Sequence, residues 1–226
     1  MQESLREYDL IVFDWDGTLM DTTGLIARGI QHAARVMGFS EPSLALARST
    51  IGLDWRHAIA KAVPECPEEA YGTFNKHYRD WYIPHEKEVY LYEGMPELLE
   101  ELKRNGLLLA IATGKSREGL NRVLSVTGIG ALFETTQTAS ECESKPSADM
   151  LERIGIETQV APERTLMIGD AIFDLVMAER YGCDAVAMTY GAGNKEELSA
   201  HSPRCLCEDV RALRRFLQVE AGCLRL

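Results

Sequence analysis

Leu10-Ile11-Val12-Phe13 is an unbroken apolar run that stops on Asp14-Trp15-Asp16-Gly17-Thr18. A run this short and this apolar reads as a strand buried on both faces, the mark of a parallel sheet. In extended chain, side chains two apart project to the same side, so Asp14 and Asp16 form a pair. The pair stands at the carboxyl end of its strand, where parallel sheets bind ligands. Two like charges this close repel unless a cation joins them, so a hard ion such as Mg2+ is expected there. Taken alone, the stretch also reads as a strand end followed by an acidic turn.

After Thr18 the pattern turns helical. Thr22 or Thr23 caps a helix over Gly24 to Met37, and Gly38 stops it. Pro42 to Ser49 is a short second helix. Asp54 caps a third that runs to Val63, and Glu68 to Ile83 is a fourth, stopped by Pro84. A block of helices with no strand, set between a strand and a later alternating pattern, predicts an inserted helical domain over 22–86. The remainder, 1–21 and 87–226, is the expected core.

Within that core the pattern alternates. Helices are expected at Met95 to Asn105, Ser116 to Thr127, Ser147 to Ile154, Asp174 to Tyr181, Asn194 to Ala200 and Val210 to Val219. Strands are expected at Leu107 to Ala112, Phe133 to Thr136, Thr165 to Ile168, Asp184 to Met188 and, at an edge, Cys205 to Cys207. Such alternation predicts an α/β fold with a doubly wound parallel sheet.

Composition narrows the partners. The chain has 226 residues, enough for one large domain or a domain with an insertion. Its 24 basic and 35 acidic residues leave a net charge of −11, which disfavours nucleic acid and acidic membranes. An anionic substrate must then meet a locally positive pocket. No apolar stretch has membrane-spanning length, and Met1 to Glu7 is polar and mixed in charge, unlike a signal peptide. The six cysteines are scattered, so a reduced, cytoplasmic setting is expected. Cys205-Leu206-Cys207 reads as one face of a short strand, because nothing nearby completes a zinc set.

Polar residues fall in four places at or just after predicted strands or helix starts: Asp14 and Asp16, Thr113 and Gly114, Lys145, and Asp170 with Asp174. Each has a local reading. Thr113 and Asp174 suit helix caps, Lys145 a solvated loop, and Asp170 a turn. Together they imply loops that converge at one edge of the sheet.

In this order the residues resemble the haloacid dehalogenase superfamily of phosphohydrolases, in particular its phosphoglycolate-phosphatase-like branch with a helical, C1-type cap. The motifs are Asp14 to Thr18, Thr113 at a strand end, Lys145-Pro146, and Gly169-Asp170 followed by Asp174. The resemblance covers nearly the whole chain. It implies a Rossmann-type core and a Mg2+-dependent phosphatase for a small phosphomonoester such as 2-phosphoglycolate. It makes Asp14 the nucleophile that becomes an aspartyl phosphate, and Asp16 the acid and base. Asp14, Asp170, Asp174 and the main-chain carbonyl of Asp16 would hold the ion. Thr113, Gly114 and Lys145 would hold phosphate. In relatives a glycine-containing cap loop faces the site, and Ile51-Gly52-Leu53 matches its position. Arg56 and His57 follow that loop as candidates for substrate choice, though a helix also leaves such side chains in solvent. Trp55, Tyr78 and Trp81 are expected to pack the cap core.

Two residues depart from the family pattern. Thr113-Gly114-Lys115 stands where Thr-Asn-Lys is frequent, and Lys115 is expected at the surface. Ala171 stands where a Ser or Thr is frequent. A phosphomutase of the β-phosphoglucomutase kind, a pyrophosphatase or a nucleotidase would share the same core. A catalytically silent binding module would lack a nucleophile or a metal carboxylate, and neither is missing. The partner is expected to be a small phosphorylated metabolite, and the assembly a monomer or homodimer.

Overall fold

The computed structural model describes residues 8–217. The reading of Met1 to Glu7, the residue Cys223 and the expected end of the last helix at Val219 lie outside them. Among the described residues, six strands form one sheet in the order β3-β2-β1-β4-β5-β6. They are β1 Leu10–Phe13, β2 Leu108–Thr113, β3 Thr135–Thr138, β4 Thr165–Gly169, β5 Asp184–Met188 and β6 Cys205–Cys207. Every pairing is parallel. The fold is α/β, and the order reverses direction beside β1, the first strand laid down.

Period-two alternation sends each strand into two cores. Ile11, Phe13, Leu109, Ile111, Leu166 and Ile168 pack on one face. Helices α5 (Met95–Arg104), α6 (Arg117–Thr127) and α10 (Val210–Phe216) cover that face. Leu10, Val12, Ala110, Ala112 and Met167 pack on the other. There they meet α7 (Asp149–Thr158) and α8 (Ile172–Tyr181). Helix α9 (Lys195–Ala200) closes the β5 end through Leu198 against Ala187.

Between β1 and β2 lie α1 (Thr23–Val36), α2 (Leu44–Arg48), α3 (Trp55–Ala62) and α4 (Tyr71–His85). They share a separate core of Ala27, Ile30, Ala33, Ala34, Ile59 and Phe74. The two chain crossings between this block and the sheet are stitched together. Asp21 N–H donates to Tyr90 O at 3.0 Å, and Tyr92 N–H donates to Leu19 O at 3.1 Å.

Several element boundaries differ from those expected. Helix α4 runs through Pro84 to His85. The ring removes one hydrogen bond, and the carbonyl left behind belongs to Asp80, an exposed residue that water can satisfy. Strand β3 starts at Thr135, two residues later than expected, because a 3-10 turn occupies Gly130–Leu132 and Phe133 packs against the core. Helix α7 passes Gly155 and ends at Thr158, with Gln159 left-handed at φ 58°. Asp174 is not the cap of α8: Ala171 is, and Asp174 sits inside the first turn. No described helix is long and apolar enough to cross a membrane.

Candidate active site

Asp14 continues β1 by one hydrogen bond, its N–H donating to Ile168 O at 2.9 Å. This fixes the carboxylate at the carboxyl end of the sheet, beside the end of β4. Gly17 then turns the chain at φ +88°, a conformation that L side chains rarely adopt. Asp170 follows β4 directly, and Asp174 lies one helical turn further on in α8.

Lys145 joins them. Its ammonium donates to Asp14 Oδ1 at 2.7 Å and to Asp174 Oδ1 at 2.6 Å. Lys145 is 1% exposed, so the solvated-loop reading of it fails. Asp174 spends its second oxygen on the N–H groups of Asp170 and Ala171, at 3.2 and 3.0 Å. Asp170 accepts from Thr18 Oγ1 at 2.7 Å and from Ala192 N–H at 2.7 Å.

Burial pushes the Asp14 carboxyl up to about 7 against the pull of Lys145, with the Asp174 and Asp16 charges adding to the rise. Burial, then Asp14 and Asp174, hold Asp170 well above the usual carboxylate range. Burial works to lower the Lys145 ammonium, but Asp14 and Asp174 outweigh it and keep it above the ordinary lysine value. One lysine therefore does not neutralise this cluster. Asp14, Asp170 and Asp174 each offer an oxygen, and these lie within 4.8 Å of one another. Buried, charge-starved carboxylate oxygens are the donor set that hard divalent cations take. The residues fit such an ion.

Asp16 is built separately. Its Oδ1 accepts from Thr22 Oγ1 at 2.7 Å and pairs with Lys115 Nζ at 2.9 Å. Thr22 thus serves Asp16 and makes no side-chain cap to α1. Lys115 is not a surface residue. Its side chain is 10% exposed and its ammonium stands 5.5 Å from the Tyr82 ring. Burial would lower it, yet Asp16 and then Tyr78 raise it overall. Lys115 is two residues past the end of β2, but its burial depends on Asp16 and the Tyr82 ring across the loops. Thr113 is buried, and its Oγ1 accepts from Lys115 N–H at 3.2 Å.

Beyond Asp14 and Asp16 opens a cavity of about 260 Å3 between the sheet edge and the helical block. Gly52, Leu53, Gly114 and Lys115 line it. A Cβ on Gly114 would lie 2.8 Å from both Gly52 O and Leu53 O, so only glycine lets the two loops meet. Ser144 Oγ adds a bond to Asp54 Oδ2 at 2.7 Å across the same seam. Ala171 stands at this contact too: a Cβ on Gly52 would be 3.5 Å from its methyl. Arg56 and His57 are exposed and do not line the cavity. Arg56 lies over the Trp55 ring at 4.8 Å, and His57 pairs with Asp54. Trp55 lines the cavity and is exposed, Tyr78 lines it while also packing against the helical core, and Trp81 stacks on His32 and His85. Three residues take places the sequence did not mark: Thr18 bonds Asp170, Thr22 bonds Asp16 instead of capping α1, and Tyr82 lines the cavity.

Paired carboxylates and a buried lysine gathered at the ends of parallel strands make a site for a charged ligand in an α/β-class protein. The chain belongs to the haloacid dehalogenase-like hydrolases, whose family profile matches residues 11–188. It is an enzyme of that family. It is 31% identical over 220 residues to a 5'-nucleotidase of Pseudomonas aeruginosa, covering 96% of this chain and 99% of that one. It is 29% identical over 225 residues to a phosphoglycolate phosphatase of Vibrio vulnificus, covering 96% and 99%. A solved hydrolase structure from Pseudomonas syringae superposes with a TM-score of 0.85 at 21% identity, covering 93% of this chain and 98% of that one.

Proposed function

We propose that the protein is a Mg2+-dependent phosphatase that hydrolyses a small phosphomonoester through an aspartyl phosphate on Asp14. The observation that carries this reading is the Lys145 ammonium, bonded at 2.7 and 2.6 Å to carboxylates that arrive from β1 and from the helix after β4. The family membership and the names of the two relatives support it.

Asp14 needs no base to act as a nucleophile, since it attacks as the carboxylate. Its oxygen forms the new bond to phosphorus while the ester P–O bond breaks. The leaving alkoxide takes the proton of Asp16. In the second half, Asp16 takes a proton from water, the water oxygen bonds to phosphorus, and the Asp14 carboxylate leaves. A placed acid and base of this kind contributes roughly a hundredfold to ten-thousandfold. Thr22 and Lys115 orient Asp16. Lys145 orients Asp14 and, with the Thr113 hydroxyl and the amides around Gly17 and Gly114, binds phosphate oxygens. The ion would be held by Asp14, Asp170, Asp174 and the Asp16 carbonyl, and it would offset the repulsion between phosphate and carboxylates. The helical block, residues 22–86, acts as a cap that shuts water out while the ester bond is cut.

The test is phosphate release from a panel of small phosphoesters. Turnover is expected with Mg2+, to vanish with a chelator, and to return when Mg2+ is restored in excess. Mg2+ at about a hundred times its dissociation constant is expected to raise Tm by roughly 5 to 10 °C, and Asp170→Asn to abolish that rise. A Tm indifferent to Mg2+ would remove the metal from the account.

A further inference from the structure

A cap that shuts water out, as the phosphatase reading requires, must also lift to admit substrate, and the contacts beside the cavity mark where. Two ion pairs cross there from the helical block to the core. Arg79 of α4 pairs with Glu118 of α6 at 2.7 Å. Arg122 of α6 holds Glu86, in the turn after α4, through Nε at 2.5 Å and Nη2 at 3.2 Å. Both arginines line the cavity, so this seam is part of its wall.

The charges are crossed. Glu118 and Arg122 stand four residues apart, on one side of α6. Arg79 and Glu86 stand seven apart, about two turns along and again on one side. Minus then plus meets plus then minus. Displacing one helix along the other would set Arg122 against Arg79, or Glu118 against Glu86, so the pairs fix one register.

The two pairs are unequal. The side chains of Arg79 and Glu118 are 43% and 66% exposed, and those of Arg122 and Glu86 are 29% and 10% exposed. Water screens the first pair. The second is held by two nitrogens and is better buried, so it does more of the holding.

Among the described residues, no apolar core spans the seam. Leu120 and Val123 of α6 belong to the core on the sheet, whereas Phe74 and Tyr78 of α4 belong to that of the helical block. Parting α4 from α6 leaves both cores intact. The chain crossings are tied more firmly: backbone bonds join them, and Met20 and Tyr92 pack into the sheet's core.

We propose that the seam between α4 and α6 is the edge along which the cap lifts, that the chain crossings are its pivot, and that Arg79–Glu118 and Arg122–Glu86 latch it. Glu86 and Glu118 act on the latch alone, since neither lines the cavity.

The test is hydrogen exchange read by mass on the full chain without ligand. Glu86→Arg sets two arginines against each other. It is expected to speed exchange about tenfold across 50–54 and 114–119, which hold residues of the cavity wall. Glu118→Arg, at the more exposed pair, is expected to speed it about threefold. Strands β1 and β4 are expected to exchange as before. Adding Arg122→Glu to Glu86→Arg is expected to bring the two segments back to within about twofold of the unmodified protein. On a cleaved ester, Glu86→Arg is expected to raise KM severalfold and to change kcat by less than about twofold, because the latch is made equally in the ground state and the transition state. Unchanged exchange in Glu86→Arg, or faster exchange that the added Arg122→Glu does not reverse, would overturn the latch. So would faster exchange spread evenly over the sheet, the mark of a loosened fold. If no ester is cleaved, the phosphatase reading falls, and exchange still decides the latch.

Discussion

Asp14→Asn is expected to lower kcat/KM by at least about ten-thousandfold on every ester the enzyme cleaves. The change keeps the shape of the side chain and removes the proposed nucleophile. Because Lys145 retains Asp174, and because burial already pushes the Asp14 carboxyl up to about 7, the fold should tolerate the swap. A Tm within a few degrees of the unmodified protein, together with silent chemistry, separates a catalytic loss from a collapsed site. Phosphate release from the variant at the original rate would end the assignment of Asp14.

Lys145→Met is expected to be the most damaging single change to stability. The replacement is close in volume, so packing is largely kept. What it removes is the cation that bonds both Asp14 and Asp174 in the interior. Stripping one partner from a buried ion cluster costs about 3–5 kcal/mol. For a domain of this size that lowers Tm by roughly 6 to 20 °C. The carboxylates set the sign with pH. A buried acid with a raised pKa penalises the fold increasingly as pH climbs from its unfolded value through its folded one. Without Lys145, whose charge lowers it, the folded value of Asp14 rises further. The deficit measured without divalent ions should therefore be larger at about pH 8 than at about pH 6. Thermal melts at both values check it, and a deficit that shrinks with rising pH would contradict this electrostatic picture.

The strands that carry the chemistry were legible because their signals are local. β1, β4 and β5 are short, mostly apolar runs, and Asp14 and Asp170 each follow a strand end by one residue. Once the sheet is parallel, topology alone brings those ends together. Residues whose role depends on the facing layer were not legible. Thr22 suited a helix cap by type, but its hydroxyl goes to Asp16. Lys115 reads as a soluble lysine until Asp16 and the Tyr82 ring are set beside it. Arg56 and His57 follow the right loop, but α3 turns them to solvent. Pro84 signals a stop, yet a proline in the last turn of α4 costs only one solvent-exposed bond.

In the proposed mechanism, strand ends and one buried lysine prepare a single aspartate to carry phosphorus. The direct measurement is an acid quench during turnover of the best substrate, followed by peptide mapping by mass. One phosphoryl group on Asp14, absent when Mg2+ is chelated, is the result expected. Steady turnover with the phosphoryl group on another residue, or with none trapped on any, would contradict it.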